Sequence, residues 1–272
     1  MSAALYLEPP LASAVIHGRK QTWCQEGRGA RLPLFLLHGI GSSALAWSGQ
    51  FAGFSPERAV IAWNAPGYAS SEPLENAWPT ALDYATTALA LLDHLHITRC
   101  VLIGQSLGAV MASALALRAP ARVAALILVS PASGYGALPG AELPEKVAQR
   151  LTDLERLGSV EFAVQRSVNL LTPAASPRAH DIVRRSMAQI TKQGYCQAAR
   201  LLACANLRDD VARLAVRTEV IWGSADTITP PEGCRRIAAA AGIAGTELGG
   251  LGHGLITEAP GRFNEAVRRL LD

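Results

Sequence analysis

A chain of 272 residues is long enough to bury a large hydrophobic core, either as one domain with an insertion or as two domains. Half of its residues are hydrophobic, 17% are charged and the formal net charge is +3, which excludes a disordered or fibrous chain and favours an α/β protein with a buried parallel sheet. The basic residues form no run and do not alternate with aromatic residues, so nucleic acid is not an expected partner.

The cysteines and the hydropathy pattern favour a cytoplasmic location. Five cysteines are present and none belongs to a C-x-x-C pair, so neither a disulfide framework nor a zinc site is predicted. Pro9 and Pro10 stand where a secretory signal would need an apolar run. No stretch approaches about 18 uninterrupted apolar residues, so we expect neither export nor a membrane partner.

The first half of the chain alternates between strand and helix patterns. Strands that are separated by helices require right-handed crossovers, so the predicted sheet is mostly parallel, with helices on both faces. The predicted elements are strands at 13–17, 20–25 and 33–37, a helix near Trp47, a strand at 58–63, a helix at 80–96, a strand at 101–103, a helix that ends at Pro120, and a strand at 123–129.

This alternation stops after Pro131. Residues 134–144, rich in Gly, Pro and Ala, predict a linker. The sequence then predicts helices at 144–157, 159–171, 177–190 and 195–206, followed by a strand at 218–222, a helix at 230–241, a strand at 244–248 and a helix at 263–271. We therefore expect an α/β core formed by residues 1–134 and 215–272, with residues 135–214 as a helical cap, or lid, over one edge of the sheet.

The sequence Gly104-Gln105-Ser106-Leu107-Gly108 lies between a buried strand pattern and an Ala-rich helix pattern. The bare G-x-S-x-G pattern is weak evidence, but a strand before it and a helix after it are the context that a nucleophilic serine requires. The tight turn holds the serine in a strained backbone conformation that only small flanking residues tolerate. Ser106 is therefore the candidate nucleophile.

A serine hydroxyl needs a base, and the base needs a carboxylate. His253 lies between two glycines in a loop that follows a predicted strand. This position places its ring at the carboxyl edge of the sheet. Asp226 also follows a predicted strand, although a helix-capping role is an alternative for it. The order Ser106, Asp226, His253 is the order expected when the serine lies on such a turn.

Two backbone N–H groups are needed for the negative oxygen of a tetrahedral intermediate. The candidates are Leu107, directly after the nucleophile, and Ile40, in the loop after the strand at 33–37. Gly39, Ser42 and Gln105 are expected to line the substrate site. His38 is expected to be structural, with its ring bonded to neighbouring backbone.

Together these residues resemble the α/β-hydrolase superfamily. The resemblance covers nearly the whole chain and implies hydrolysis through an acyl-enzyme, with no metal or organic cofactor and with a helical lid after the sixth strand. The motifs that carry the resemblance are His38-Gly39 with Trp47, Pro66-Gly67, Gly104-x-Ser106-x-Gly108, Gly223-x-x-Asp226 with Pro230, and Gly252-His253 with Glu258 and Pro260.

Several departures narrow the choice within that superfamily. Asn64 stands where the family commonly has a structural Asp. Dehalogenases and epoxide hydrolases of this superfamily carry Asp at the position of Ser106, which argues against both. The C–C hydrolases of ring-cleavage products often carry Gly-Asn-Ser-Met-Gly-Gly and an aromatic residue after the histidine, whereas this chain has Gln105, Leu107, Ala109 and Gly254-Leu255.

The favoured hypothesis is a serine hydrolase that acts on a small ester, thioester or lactone. A C–C bond hydrolase is the alternative within the class, and a ligand-binding protein that does not turn over is the alternative outside it. Arginines of the predicted cap are either solvated or available to a substrate carboxylate: Arg166, Arg178, Arg184 and Arg185. The oligomeric state is not predicted.

Overall fold

The structure, a computed structural model, describes residues 5–271. Its centre is an eight-stranded sheet in the order β1-β2-β4-β3-β5-β6-β7-β8. The strands are β1 (Leu11–Ile16), β2 (Arg19–Glu26), β3 (Leu34–Leu37), β4 (Val60–Asn64), β5 (Cys100–Gln105), β6 (Val123–Val129), β7 (Thr218–Gly223) and β8 (Thr246–Leu248).

Ten α-helices accompany the sheet within the described residues. They are α1 (Ser48–Phe54), α2 (Ala81–His94), α3 (Leu107–Arg118), α4 (Glu145–Ser167), α5 (Pro177–Met187), α6 (Lys192–Cys204), α7 (Leu207–Val211), α8 (Pro231–Ala240), α9 (Leu255–Glu258) and α10 (Pro260–Leu271). Short 3₁₀ helices precede α1, at Ala44–Trp47, and β6, at Pro120–Arg122.

The six strands from β4 across to β8 pair with one another in parallel, whereas β2 pairs antiparallel with both β1 and β4. The hairpin turn between β1 and β2 consists of His17 and Gly18, both at positive φ (50° and 76°), as a two-residue turn between twisted strands requires. The predicted fold class, a mostly parallel sheet covered by helices, is confirmed.

The apolar strands fill both faces of the sheet. All four residues of β3 are fully buried, with Phe35 and Leu37 in the core cluster on one face and Leu34 and Leu36 in that on the other. A strand buried on both faces reads as a continuous apolar run because neither set of alternating side chains meets water. The predicted strand at 33–37 has this pattern for that reason.

The segment between β6 and β7, residues 130–217, holds helices α4 to α7 and is named here the helical insertion. Helix α4 covers the two predicted helices at 144–157 and 159–171, and its backbone breaks at Gly158, with φ 69° and ψ 168°. Residues 168–171, predicted as helix, lie outside it because the Leu170 carbonyl accepts a hydrogen bond from Gly254 N–H (2.7 Å) instead. A tertiary contact ends this helix early.

Other boundaries also differ from the predictions. Helix α6 begins at Lys192 rather than 195, since the Thr191 hydroxyl caps it by accepting from Gly194 N–H. Helix α5 ends at Met187 rather than 190, where Ile190 pairs with Tyr68 in an isolated bridge. The sequence analysis did not predict the short helices α7 and α9. Among residues 5–271, none of the helices is both long and apolar enough to span a membrane.

Candidate active site

Ser106 lies at the sharp turn between β5 and α3. Its φ of 56° and ψ of −117° are a strained conformation for a residue with a side chain. The turn closes tightly: an added Cβ at Gly104 would strike the Gly108 carbonyl, and one at Gly108 would strike the Leu37 carbonyl. The two glycines therefore permit a turn that places the serine at the carboxyl edge of the sheet.

The imidazole of His253 and the carboxylate of Asp226 are in direct contact at the same edge. His253 Nδ1 lies 2.8 Å from Asp226 Oδ2, and both residues are buried. Asp226 follows β7 and His253 lies in the glycine-rich loop after β8, as the sequence analysis expected. With its proton on Nδ1, the ring donates to Asp226 and leaves Nε2 as an acceptor.

Three groups beside His253 hold the Asp226 carboxylate in place. The backbone N–H groups of Ile228 (2.8 Å) and Thr229 (2.9 Å) donate to Oδ1, and the Thr229 hydroxyl donates to Oδ2 (2.8 Å). Burial raises the pKa of Asp226, but the hydrogen bond and charge of His253 and the bonds from Thr229 outweigh it and hold the pKa below its usual value. Asp226 is therefore ionised at neutral pH.

Thr229 was not singled out by sequence analysis. Its Oγ1 also lies 3.1 Å from His253 Nδ1 and 3.1 Å from the Ser130 carbonyl oxygen. The Asp-x-x-Thr spacing of Asp226 and Thr229 allows a turn in which the Asp side chain accepts hydrogen bonds from the residues that follow it. This spacing is the sequence signal from which the role of Thr229 could have been predicted.

Ser106 and His253 line the same cavity. Within the described part of the chain the Ser106 hydroxyl makes no hydrogen bond to the ring, whose Nδ1 contacts are those to Asp226 and Thr229. In ligand-free sites such bonds are often long and shorten when substrate binds. The structure thus brings the three predicted residues to one place without a closed serine–histidine hydrogen bond.

His38 is buried and faces the backbone rather than the cavity. Its Nδ1–H donates to the Gly39 carbonyl (2.8 Å), and its Nε2 accepts from Ala65 N–H (3.1 Å). Burial lowers the pKa of His38 to about 4. The ring is therefore neutral at physiological pH and has both nitrogens occupied, so it is unavailable as a base.

The main cavity at the serine has a volume of about 250 Å³. Ile40 and Leu107 line it together with Ser106 and His253, and neither of their N–H groups donates to another group within residues 5–271. The helical insertion closes the opposite wall with residues that are mostly apolar or cationic: Arg150, Phe162, Arg166, Asn169, Leu170, Met187, Tyr195 and Leu202.

Gly39, Ser42 and Gln105 line a smaller space of about 30 Å³ that also touches Ser106 and His253. A Cβ at Gly39 would lie 2.8 Å from that of Ser106, so the loop passes close to the serine. Gln105 donates from Nε2 to the His253 carbonyl (3.2 Å), and Ser42 Oγ lies 3.3 Å from the hydroxyl of Ser186. These three residues contact the site from its floor, outside the main cavity.

The four arginines that were considered for a substrate carboxylate are divided by the structure. Arg166 lines the main cavity, whereas Arg178, Arg184 and Arg185 form ion pairs outside it. The acidic partners of these three are Asp181 and Glu8. Arg150, which the sequence analysis did not select, lines the cavity as well. No helical periodicity distinguishes it from its exposed neighbours.

Residues 33–258 match the family model described as the alpha/beta hydrolase fold. The chain belongs to the α/β-hydrolase family, and it is an enzyme of that class. A solved enol-lactonase from Burkholderia xenovorans LB400 has the same fold, with a TM-score of 0.85, 24% identity and coverage of 96% of this chain and 99% of that one.

Curated relatives with different activities match about equally well. The chain is 28% identical to 3-oxoadipate enol-lactonase 2 of Acinetobacter baylyi, over 75% of this chain and 74% of that one. It is 28% identical to a 2-hydroxy-6-oxononadienedioate/2-hydroxy-6-oxononatrienedioate hydrolase of Cupriavidus pinatubonensis, over 78% and 76%. It is 29% identical to the dihydrolipoyllysine-residue acetyltransferase component of the acetoin cleaving system of Pseudomonas putida, over 84% of this chain but only 61% of that longer protein.

Proposed function

We propose that this enzyme is a serine hydrolase that cleaves a small ester, thioester or lactone through an acyl-enzyme. The observation that carries the proposal is the 2.8 Å contact between His253 Nδ1 and Asp226 Oδ2 beside a serine at positive φ. This arrangement supplies a nucleophile, a base and a carboxylate that orients the base. In this proposal the three residues are catalytic.

In the acylation step, Ser106 Oγ attacks the carbonyl carbon while His253 Nε2 takes the hydroxyl proton. The tetrahedral oxyanion accepts hydrogen bonds from the N–H groups of Ile40 and Leu107, which have no acceptor among the described residues. His253 then gives the proton to the leaving oxygen or sulfur, and the carbon–leaving-group bond breaks. Water, activated by the same ring, hydrolyses the acyl-enzyme and restores the serine.

The surrounding residues have supporting roles in the proposal. Gly39 lets the loop after β3, which contains Ile40, approach Ser106. Gln105 holds the backbone of His253 through a hydrogen bond, and Ser42 lines the smaller space beside Ser106. Residues 135–214 serve as the cap, which covers the cavity and selects the substrate. The five cysteines are all free, which supports the expected cytoplasmic location.

The ester and lactone assignment rests on the residues beside Ser106 and after His253. The relatives do not decide it, because an enol-lactonase and a C–C hydrolase are equally similar to this chain. Gln105 and Leu107 beside the serine, with Leu255 two residues after the histidine, differ from the pattern typical of C–C hydrolases. We therefore favour an acyl–oxygen or acyl–sulfur bond as the bond that is broken.

A fluorophosphonate probe tests the nucleophile. We expect stoichiometric labelling that maps to Ser106, is lost in Ser106→Ala and is strongly slowed in His253→Ala. Ser113→Ala is a matched control, because that serine is buried in helix α3 outside the cavity. Absence of labelling in a folded sample would contradict the proposal and favour a ligand-binding protein without turnover.

A substrate panel tests the bond class. We expect hydrolysis of p-nitrophenyl esters, thioesters or lactones to exceed hydrolysis of vinylogous diketones in kcat/KM, and to require Ser106. A higher kcat/KM for the diketones would instead identify a C–C hydrolase.

A further inference from the structure

The geometry points to a substrate that carries a carboxylate, which we infer is bound by Arg150 in the main cavity. This inference rests on the proposed function for the identity of the reacting bond. The anion subsite itself is a property of the helical insertion.

Arg150 differs from the other arginines among the described residues. It is half-buried and lines the cavity at Ser106, but it makes no hydrogen bond and no ion pair to another side chain or carbonyl within residues 5–271. The other arginines of the described residues that lack a hydrogen bond or ion pair are all exposed: Arg28, Arg99, Arg118, Arg156 and Arg208. A guanidinium that is partly withdrawn from water and lacks a partner is costly, unless a ligand supplies the acceptor.

The second guanidinium of the cavity already has a partner. Arg166 lies 3.3 Å from Asp153 Oδ2 and its guanidinium stands 5.3 Å above the ring of Phe162. The other oxygen of Asp153 accepts from Gln149 (2.9 Å). Asp153 therefore anchors Arg166, and within residues 5–271 it forms no ion pair with Arg150.

The cavity wall contains no carboxylate that could neutralise Arg150. Its lining residues include two arginines and His253 but neither Asp nor Glu. Both guanidiniums act on the buried hydroxyl of Tyr195, where burial raises the pKa, the charges of Arg150 and Arg166 lower it, and the charge of Asp153 raises it. The two cations therefore face the same part of the cavity, and of the two it is Arg166 that is paired with Asp153.

The rest of the wall defines the other half of the ligand. Phe162, Met187, Tyr195 and Leu202 present apolar surface, so the cavity suits a small apolar acid. A planar guanidinium forms two parallel hydrogen bonds to a carboxylate, and a lysine cannot reproduce this geometry. The inferred substrates are thus esters, thioesters or lactones with a pendant carboxylate.

The inference is tested by equilibrium binding, without turnover. Calorimetry compares 4-phenylbutyrate with the uncharged 4-phenylbutyramide, which has nearly the same shape. We expect the carboxylate to bind about ten- to hundredfold more tightly, since a hydrogen bond to a charged group contributes about that factor. The preference should disappear in Arg150→Gln and be partly kept in Arg150→Lys.

Arg156→Gln is the matched control, because Arg156 lies exposed on the same helix and outside the cavity. Equal binding of acid and amide, undetectable binding of the acid, or a preference that survives Arg150→Gln would overturn the inference. A preference that is lost only in Arg166→Gln would also overturn it, since the anion would then be bound by Arg166.

A kinetic comparison separates this inference from the proposed function. The kcat/KM value should be higher for 4-acetoxybenzoate, which carries the carboxylate, than for its methyl ester. Arg150→Gln should remove this difference. Hydrolysis of both esters at equal rates would overturn the anion subsite while leaving the serine hydrolase intact. Failure of Ser106 to react with the fluorophosphonate would contradict the proposed function, while calorimetry would still report on Arg150.

Discussion

Asp226 presents its two carboxylate oxygens to different partners, and only Oδ2 faces His253, at 2.8 Å from Nδ1. Oδ1 accepts two backbone N–H groups, from Ile228 and Thr229. The carboxylate therefore cannot rotate without losing hydrogen bonds. This arrangement fixes the tautomer of the ring and leaves Nε2 free to accept a proton in the cavity.

Asp226→Asn tests this orientation. The amide keeps the shape of the side chain but removes the negative charge and favours the wrong tautomer of His253, so we expect kcat to fall by roughly 10³- to 10⁴-fold. The measurement is p-nitrophenyl ester hydrolysis, with circular dichroism to verify folding. Asp93→Asn, which removes an exposed ion pair with Arg122, should keep kcat within about twofold.

Thr229→Val tests the hydroxyl that supports Asp226. Because Thr229 helps to lower the pKa of Asp226, its loss raises that pKa, so the active, ionised form is lost at a higher pH on the acid side. We expect kcat at neutral pH to fall about tenfold, as for one hydrogen bond to a charged group. Thr227→Val is the control, since Thr227 is exposed; equal kcat values for the two variants would contradict the role of Thr229.

Gly108→Ala tests the close packing of the turn. Its added Cβ would strike the Leu37 carbonyl, so we expect a loss of about 1–3 kcal/mol in the free energy of unfolding, together with loss of activity. Urea denaturation measures the first effect and ester hydrolysis the second. Gly261→Ala provides the control, because nothing lies within 4 Å of a Cβ there and alanine favours helix α10.

His38 predicts a pH dependence of stability. Its pKa in the folded state is about 4, below the usual 6.5 that applies when the chain is unfolded. The unfolded chain thus binds the proton more tightly, so stability is complete above pH 6.5 and is lost as pH falls toward 4. The pKa difference corresponds to about 3 kcal/mol.

Urea denaturation between pH 4 and 7 measures this dependence. We expect His38→Gln to be less stable than wild type at pH 7, because it loses two buried hydrogen bonds, and to have a flatter pH curve. His180→Gln on α5 should reproduce the wild-type slope. An unchanged slope in His38→Gln would show that other groups cause the acid sensitivity.

The parts of the site that follow strands were predictable from sequence. Ser106 and Asp226 follow apolar runs that mark buried parallel strands, and His253 lies in the glycine-rich loop after the short strand β8. Parallel strands bring their carboxyl ends to one edge of the sheet. The motif glycines were predictable for the same reason, since backbone clashes at these positions exclude larger residues. At these positions the local sequence pattern and the topology of the sheet lead to the same prediction.

The remaining features depend on tertiary contacts that no local pattern encodes. Arg150 and Arg156 lie on the same helix, yet only Arg150 reaches the cavity. Helix α9 is a single turn after His253, too short to have a detectable period. Leu170 lies beyond the end of α4, and its carbonyl accepts a hydrogen bond from Gly254 N–H. This contact depends on how the helical insertion packs onto the core.

The most direct test of the central claim is capture of the acyl-enzyme. Rapid acid quenching after mixing with p-nitrophenyl acetate, followed by peptide mass spectrometry, should find one acetyl group on the Ser106 peptide, formed as fast as the burst of p-nitrophenolate. Ser106→Ala should show neither the adduct nor turnover. An adduct on another residue, or wild-type turnover in Ser106→Ala, would contradict the account.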